Sequence, residues 1–485
     1  MPQNCAGGDL SIFVPDSNKP WNAIRVAHLY KRLGFGASYN EVQAGMLLSP
    51  SQLVDDLITS AKNAPLPTPP VWYNWTSANY TDINTQRIDQ YKEWYFQWLT
   101  DMLNTSVREK VALFWHNHFV TKFTDYMCPS YMYEYHKLLQ THAFGNFKTF
   151  LKEIGKTEAM LVFLSGFLNK AGRPNENYAR ELFELFTMGV NTGYTQQDIT
   201  EAARALTGWT NISVQCGAID FKPADFDSTT KTVFGQSANY DFDSLHDLIF
   251  QERALEVSQF VASKIYTHFV HALPNQTIVD GLAQTFRHND FEIEPVFKQL
   301  FKSSHFYEDE IISVNIKSPV EFLVGLIKES GFPYDSNIIA YAGYLTIDMG
   351  QQLFNPIDVS GWNGNRTWIN STAITTRWDT LDKYLGFVYA SDREKLRQFA
   401  KDISGASEKD VAIVARKLTD HFIPKGLENA TDYNQATTVL KGQVPQFYFD
   451  TNSWDLNFQY QTYGVPEQVW NLLRWIVRRP EFQLM

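Results

Sequence analysis

Residues 174–189, Pro-Asn-Glu-Asn-Tyr-Ala-Arg-Glu-Leu-Phe-Glu-Leu-Phe-Thr-Met-Gly, constrain the fold more tightly than any other stretch. Tyr178, Leu182, Leu185 and Phe186 fall at i, i+4, i+7 and i+8, which is one apolar stripe at the helical period. Pro174 and Asn175 suit a helix start, and Gly189 suits the position just past its end. Glu176, Arg180 and Glu184 stand four apart and stack along another side, where opposite charges pair. Such a ladder is commonly a solvated face, with each exposed pair contributing about 0.3–0.5 kcal/mol. The other reading is a site in which Glu176, Glu181 or Glu184 is a buried acid. A second helix follows at once. Thr195 and Asp198 form a capping box, Ile199, Ala202, Ala203 and Leu206 give the apolar face, and Gly208 ends it. A link this short makes the two helices packing neighbours.

Capped, helix-patterned segments recur from Trp21 to Ile476, so the fold is expected to be mainly α, a multi-helix single domain over residues 21–485. Ser318-Pro319-Val320-Glu321 is the clearest single start: a cap, a proline in the first helical position and an acid in the third. Residues 1–20 are polar and unpatterned and read as a loose N-terminal arm. Over residues 211–240 the helical period is lost, which predicts a small β-hairpin insertion, and residues 380–485 read as a helical C-terminal section. Residues 355–368 form a long turn-rich loop carrying Trp362, Asn363, Arg366 and Trp368. It reads either as a cleft-lining binding loop or as a packed tryptophan corner.

A net charge of −11, from 42 Lys and Arg against 53 Asp and Glu, argues against a general nucleic-acid binder. No apolar run reaches the length of a membrane span. The first residues have neither the basic nor the apolar region of a signal peptide, so the chain reads as cytoplasmic as written, and as exported if a signal has been removed. Cys5, Cys128 and Cys216 are odd in number and far apart, with no Cys-x-x-Cys, which points to a reducing compartment.

His116-Asn117-His118 is the obvious chemical constellation. On a helix, residues two apart point about 200° apart, so the two histidines cannot face one metal. Glu109, seven before His116, shares its face and could be a ligand or an orienting carboxylate. A divalent metal held by Glu109, His116 and Glu181 is one expectation, with a hydrogen-bonded structural histidine as the plain alternative. The Glu-x-x-His and His-Glu-x-x-His spacings, the serine elbow, the phosphate loop and the dinucleotide fingerprint are all absent.

Several stretches resemble, in order, the bacterial family of unknown function DUF1800. They are Arg108-Glu109-Lys110 with Leu113-Phe114-Trp115-His116-Asn117-His118-Phe119-Val120, then Pro174 to Glu181, then Ala203-Arg204-Ala205-Leu206-Thr207-Gly208-Trp209, Ile316 to Phe322, and Gly361-Trp362 with Trp368-Ile369-Asn370. His28-Leu29 and Arg32-Leu33-Gly34-Phe35-Gly36 fit its start. The resemblance implies a mainly helical bacterial protein and supplies no reaction. Members are often encoded beside a second family, DUF1501, which implies a partner of that type, and many are exported. The family's His-Asp-x-Gly-x-Lys segment reads Phe226-Asp227-Ser228-Thr229-Thr230-Lys231 here, without its histidine and glycine.

Two functions from different classes follow. One is an enzyme with an acid–histidine or metal site between the His116 helix and the helix of Glu176, Arg180, Glu181 and Glu184, with at least one of those acids within reach of His116 or His118. The other is a binding or assembly protein that holds a polymer or partner on the Trp362–Trp368 loop.

Overall fold

Helix caps set the boundaries of the chain's elements. The computed structural model describes residues 7–485, and Cys5 lies outside the described residues. Among these residues, 23 α-helices stand against three two-stranded antiparallel sheets, so the protein is mainly α. The chain forms two compact units, each assembled from three separate stretches.

The first unit comprises Met1–Ile12, Val54–Phe306 and Gln352–Asn363. At its centre are α1 (Ile83–Asn104), capped by Asp82, then α2 (Ser106–His118) and α3 (Pro129–Thr141). From Val107 to His116 every residue of α2 is buried, charged ones included. The stretch expected as one helix from Asn175 divides in two: α4 (Asn177–Glu181) continues as a π-helical segment, Leu182–Thr187. The wider turn has a local cause. The Thr187 hydroxyl donates to the Leu182 carbonyl at 2.6 Å, five residues back, and the Met188 amide reaches the Phe183 carbonyl at 2.9 Å. Helix α5 (Gln196–Ala205) starts at the Thr195–Asp198 capping box.

The insertion contains two hairpins where one was expected. β1 (Trp209–Ile212) pairs with β2 (Ile219–Phe221), and β3 (Lys231–Val233) pairs with β4 (Gln236–Ala238). Lys231 organises the second. Its buried ammonium donates to Asn239 Oδ1 (2.7 Å), the Tyr240 carbonyl (2.8 Å) and the Asp227 carbonyl, and lies 4.4 Å from the centre of the Phe226 ring. Phe226 therefore covers a structural lysine.

The described part of the N-terminal arm is not loose. Asp9 and Ser11 accept from the backbone amides of His305 and Ser304, and Ile12 bridges Ser303. The cysteine expectation is also corrected: Cys128, just before α3, and Cys216, between β1 and β2, form a disulfide across 88 residues of sequence. Nothing in their spacing marks them as partners; the fold brings their Cα atoms to 5.4 Å.

The second unit comprises Phe13–Leu53, Tyr307–Gln351 and Gly364–Met485. Its helices include α6 (Pro319–Ser330), α7 (Ser336–Asp348) and α8 (Ser371–Asp392). The Ser318–Glu321 capping box forms as the sequence predicts, and Gly331 closes α6 in the left-handed conformation at φ +63°.

Closing a loop of this length restricts the unfolded chain by an amount on the order of 4 kcal/mol. Cys216→Ser, or reduction of the wild type, is expected to lower unfolding free energy by about 2–4 kcal/mol in urea titrations. Equal stability in oxidised and reduced protein would show that the crosslink carries no load.

Candidate functional site

Because α2 is enclosed, each of its polar side chains must find a partner inside the protein. His116 Nε2 accepts the Phe354 amide at 3.0 Å, which fixes the proton on Nδ1. Nδ1 donates to the Tyr135 hydroxyl at 2.8 Å, and that hydroxyl donates to the Phe119 carbonyl at 2.7 Å. His118 points the other way, as the helical geometry requires, and donates Nε2–H to the Phe186 carbonyl at 3.1 Å. Between them, Asn117 clamps the Trp362 backbone. Its Oδ1 accepts the Trp362 amide at 2.7 Å and its Nδ2 donates to the Trp362 carbonyl at 3.3 Å. Gly361, at φ +83°, lets the chain pass there, because a Cβ would collide with the Asn117 side chain. Burial pulls both histidines down to about 3, with Lys264 adding to the effect at His118.

This closed network corrects the acid–histidine expectation. The segment carrying Phe186 does pack on His118, but through a backbone carbonyl, and neither histidine hydrogen-bonds a carboxylate. Among the described residues no three His, Cys, Asp or Glu side chains converge to hold a metal, so Glu109, His116 and Glu181 do not form a ligand set.

Glu109 is committed elsewhere. Fully buried, its carboxylate accepts from Trp98 Nε1 (3.0 Å), the Thr105 hydroxyl (3.2 Å), Arg108 Nε (2.8 Å) and Gln140 Nε2 (3.0 Å). Arg108 also donates to the carbonyls of Ala64 and Pro65. An acid–histidine neighbour does exist, from α3: His136 Nδ1 accepts from Trp94 Nε1 at 3.1 Å, so Nε2 carries the proton and faces Glu109 at 3.9 Å. Asp101 of α1 is a buried acid that the sequence reading missed. Burial, and then the Glu109 charge, raise it to about 7. Its i, i+4 hydrogen bond from Gln97 looks like any exposed helical pair in the sequence.

The tryptophan loop offers no platform. Trp362 and Trp368 are both buried, at 6% and 7% exposure, and they belong to different units. Of the four candidate binding residues, Asn363 and Arg366 are exposed. Trp362 packs edge-on against the His116 ring at 5.4 Å. The packed-corner alternative describes this loop.

The second unit has its own closed charge cluster. Lys317 is 2% exposed, with its ammonium 4.1 Å from the centre of the Phe482 ring. Burial, then the charge of Lys31, draws it down to about 7. Its backbone carbonyl accepts from Arg377 at 2.8 Å, and Lys31 pairs with Glu329.

What remains open to solvent is the group on α4, the π segment and α5. Arg180 lies between Glu176 (3.1 Å) and Glu184 (3.4 Å), as the ladder spacing predicts, and also donates to Gln196 Oε1 at 2.9 Å. Glu176 accepts further from the Thr200 hydroxyl and Gln196 Nε2, each at 2.8 Å. The Thr200 bond, with those from Gln196 and Arg180, holds Glu176 below the usual glutamate value. Half-buried Glu181 is pushed the other way, by burial first and then by Glu184. Glu184 also meets Tyr194. Tyr194 lines an open depression of about 540 Å³, together with Thr195, Asp198, Phe234 and Arg253.

The family described as "Protein of unknown function (DUF1800)" matches residues 28–484, nearly the whole chain. No curated protein and no solved structure matches.

Asp101 gives a pH test of the closed core. Its folded pKa lies above its unfolded one, so between pH 3.8 and about 7 the folded state binds more protons and stability falls as pH rises. Asp101→Asn is expected to remove that fall and to raise stability at alkaline pH by up to about 4 kcal/mol. Chemical denaturation across this window checks it; an unchanged slope in the variant would mean that Asp101 ionises normally.

Proposed function

The chain belongs to the DUF1800 family, and we propose that it is an enzyme using general acid–base chemistry on the face formed by α4, the π segment and α5. One observation carries the reading: Glu176 and Glu181, on the same turn and a half of helix, are driven in opposite directions. Carboxylates separated in this way divide the roles of fixed charge and proton carrier. Glu176, held by Thr200, Gln196 and Arg180, is the fixed anion. Glu181, with its raised affinity for a proton, is the acid or base. Arg180 steadies charge between them, and the depression beside Tyr194 receives a polar substrate. π-helical turns recur at functional sites, which favours the same face.

The Cys128–Cys216 disulfide supports an oxidising compartment, where such crosslinks persist. Among the described residues no helix is long and apolar enough to cross a membrane.

The test is turnover of a panel of chromogenic esters, amides, glycosides and phosphates by wild type and Glu181→Gln. The expected result is hydrolysis of one class, reduced about 10²–10⁴-fold in the variant, and loss of a pH-rate limb lying above the ordinary glutamate value. Silence across the panel, or equal turnover by Glu181→Gln, would contradict the assignment.

A further inference from the structure

The depression beside Tyr194 contains a cation whose protein partners are backbone carbonyls. Arg253 stands between two helices, Phe242–Glu252 and Ala254–Phe269, and lines the depression with Gly193, Tyr194, Asp198 and Phe234. Its Nε donates to the Gly193 carbonyl at 2.8 Å, and its Nη1 donates to the Glu252 carbonyl at 2.9 Å. The guanidinium carbon lies 4.5 Å from the centre of the Phe234 ring. These contacts fix the plane of the group and use two of its five N–H donors, so three remain. Among the described residues no carboxylate forms an ion pair with Arg253.

Two acids stand near and neither takes the remaining donors. Asp198 of α5 shares the wall, but its carboxylate accepts from the Thr195 amide (2.7 Å), the Thr195 hydroxyl (2.8 Å) and the Phe234 amide (2.7 Å). Glu256 Oε1 and Arg253 Nε each lie 3.2 Å from where a Cβ on Gly193 would stand, yet Glu256 does not line the depression. The rest of the wall is aromatic. Phe183 of the π segment packs on Tyr194 at 5.7 Å and on Phe234 at 5.2 Å, so the depression is built against the segment that follows Glu181. A planar guanidinium backed by a ring, with donors to spare, suits an oxyanion held through two N–H groups. The charge count selects among oxyanions. One uncommitted cation beside Asp198 balances a singly charged carboxylate, whereas a phosphate monoester would bring a second charge that faces Asp198 unmet.

Resting on the acid–base reading of the same face, we propose that the substrate carries a carboxylate, held by Arg253 in this depression with its neighbouring apolar part against Tyr194 and Phe234. The free guanidinium donors account for the anion, and the aromatic wall accounts for what adjoins it. Arg253 is then a specificity residue, which seats the substrate and takes no part in the proton transfer assigned to Glu181.

Ligand-detected saturation-transfer NMR on the full chain tests this with three probes: 3-phenylpropionate, its uncharged amide 3-phenylpropanamide, and phenyl phosphate. Each is titrated into wild type, Glu181→Gln, Arg253→Gln and Arg253→Lys, with far-UV circular dichroism to confirm that the variants fold. Arg253→Lys keeps the charge without the planar fork and serves if Arg253→Gln does not fold. The expected result is saturable binding of the acid, at least about fivefold tighter than the amide or the phosphate, and equal in wild type and Glu181→Gln. The preference for acid is expected to vanish in Arg253→Gln and to fall several-fold in Arg253→Lys. No preference in the wild type, or an undiminished one in a folded Arg253 variant, would overturn the site. Tighter binding of phenyl phosphate than of the acid would overturn the carboxylate. Because binding is read without turnover, the two readings fail separately. Arg253-dependent acid binding with silence across the chromogenic panel would count against the acid–base reading alone; Glu181-dependent turnover without an Arg253-dependent preference would count against this one alone.

Discussion

The enclosure of α2 governs the first unit. A helix buried on all sides that carries Arg108, Glu109, His116, Asn117 and His118 can exist only if each polar group is met inside the protein. Three consecutive residues at its end do this by binding backbone, at Phe354, Trp362 and Phe186. The chain segments they hold are remote in sequence, so the triplet works as a fastening between them, beside contacts such as the Phe123 amide on the Phe354 carbonyl and the packing of Phe119 on Phe186. Removing one member would leave a buried amide or carbonyl unpaired, at a cost of about 1–3 kcal/mol. Removing Glu109 would strand the Arg108 guanidinium, at about 3–5 kcal/mol.

The same enclosure separates structural chemistry from chemistry that a substrate could reach. Histidines, a metal-like spacing and a charged triplet mark α2 as a site when only residue types are considered. Inside the fold His116, Asn117 and Glu109 are committed to partners, and His118 is held through Nε2 by the Phe186 carbonyl. Arg180, Glu176, Glu181 and Glu184 have the humbler pattern of a surface ladder, and they keep contact with solvent. The π segment next to them is held by Thr187 and by the His118 contact, so the closed network also shapes the backbone of the open one.

Much of this architecture was legible in the sequence because caps and helical period are local. The Thr195–Asp198 and Ser318–Glu321 boxes, the pairing of Arg180 with two glutamates, and the opposed directions of His116 and His118 all follow from spacing alone. The partners of α2 were not legible. The Phe354 amide lies 238 residues from His116, and a backbone group leaves no signature in the sequence. The Cys128–Cys216 pair was hidden for the same reason, since its two loops are brought together only by α3 and the insertion. The π turn was missed because a threonine bonding five residues back looks, in sequence, like the end of an ordinary helix. The tryptophans of the 355–368 loop misled by type: aromatic residues among glycines suggested a surface for ligands, whereas backbone clamping by Asn117 turns Trp362 inward.

The most direct test of the fastening role is the protonation state of His116, read by long-range ¹H–¹⁵N correlation in histidine-labelled protein. The account predicts one neutral tautomer, with the proton on Nδ1, unchanged from about pH 5 to about pH 8, because burial holds the ring neutral and Nε2 is taken by the Phe354 amide. A His116 resonance that titrates near the ordinary histidine value, or that carries its proton on Nε2, would contradict it.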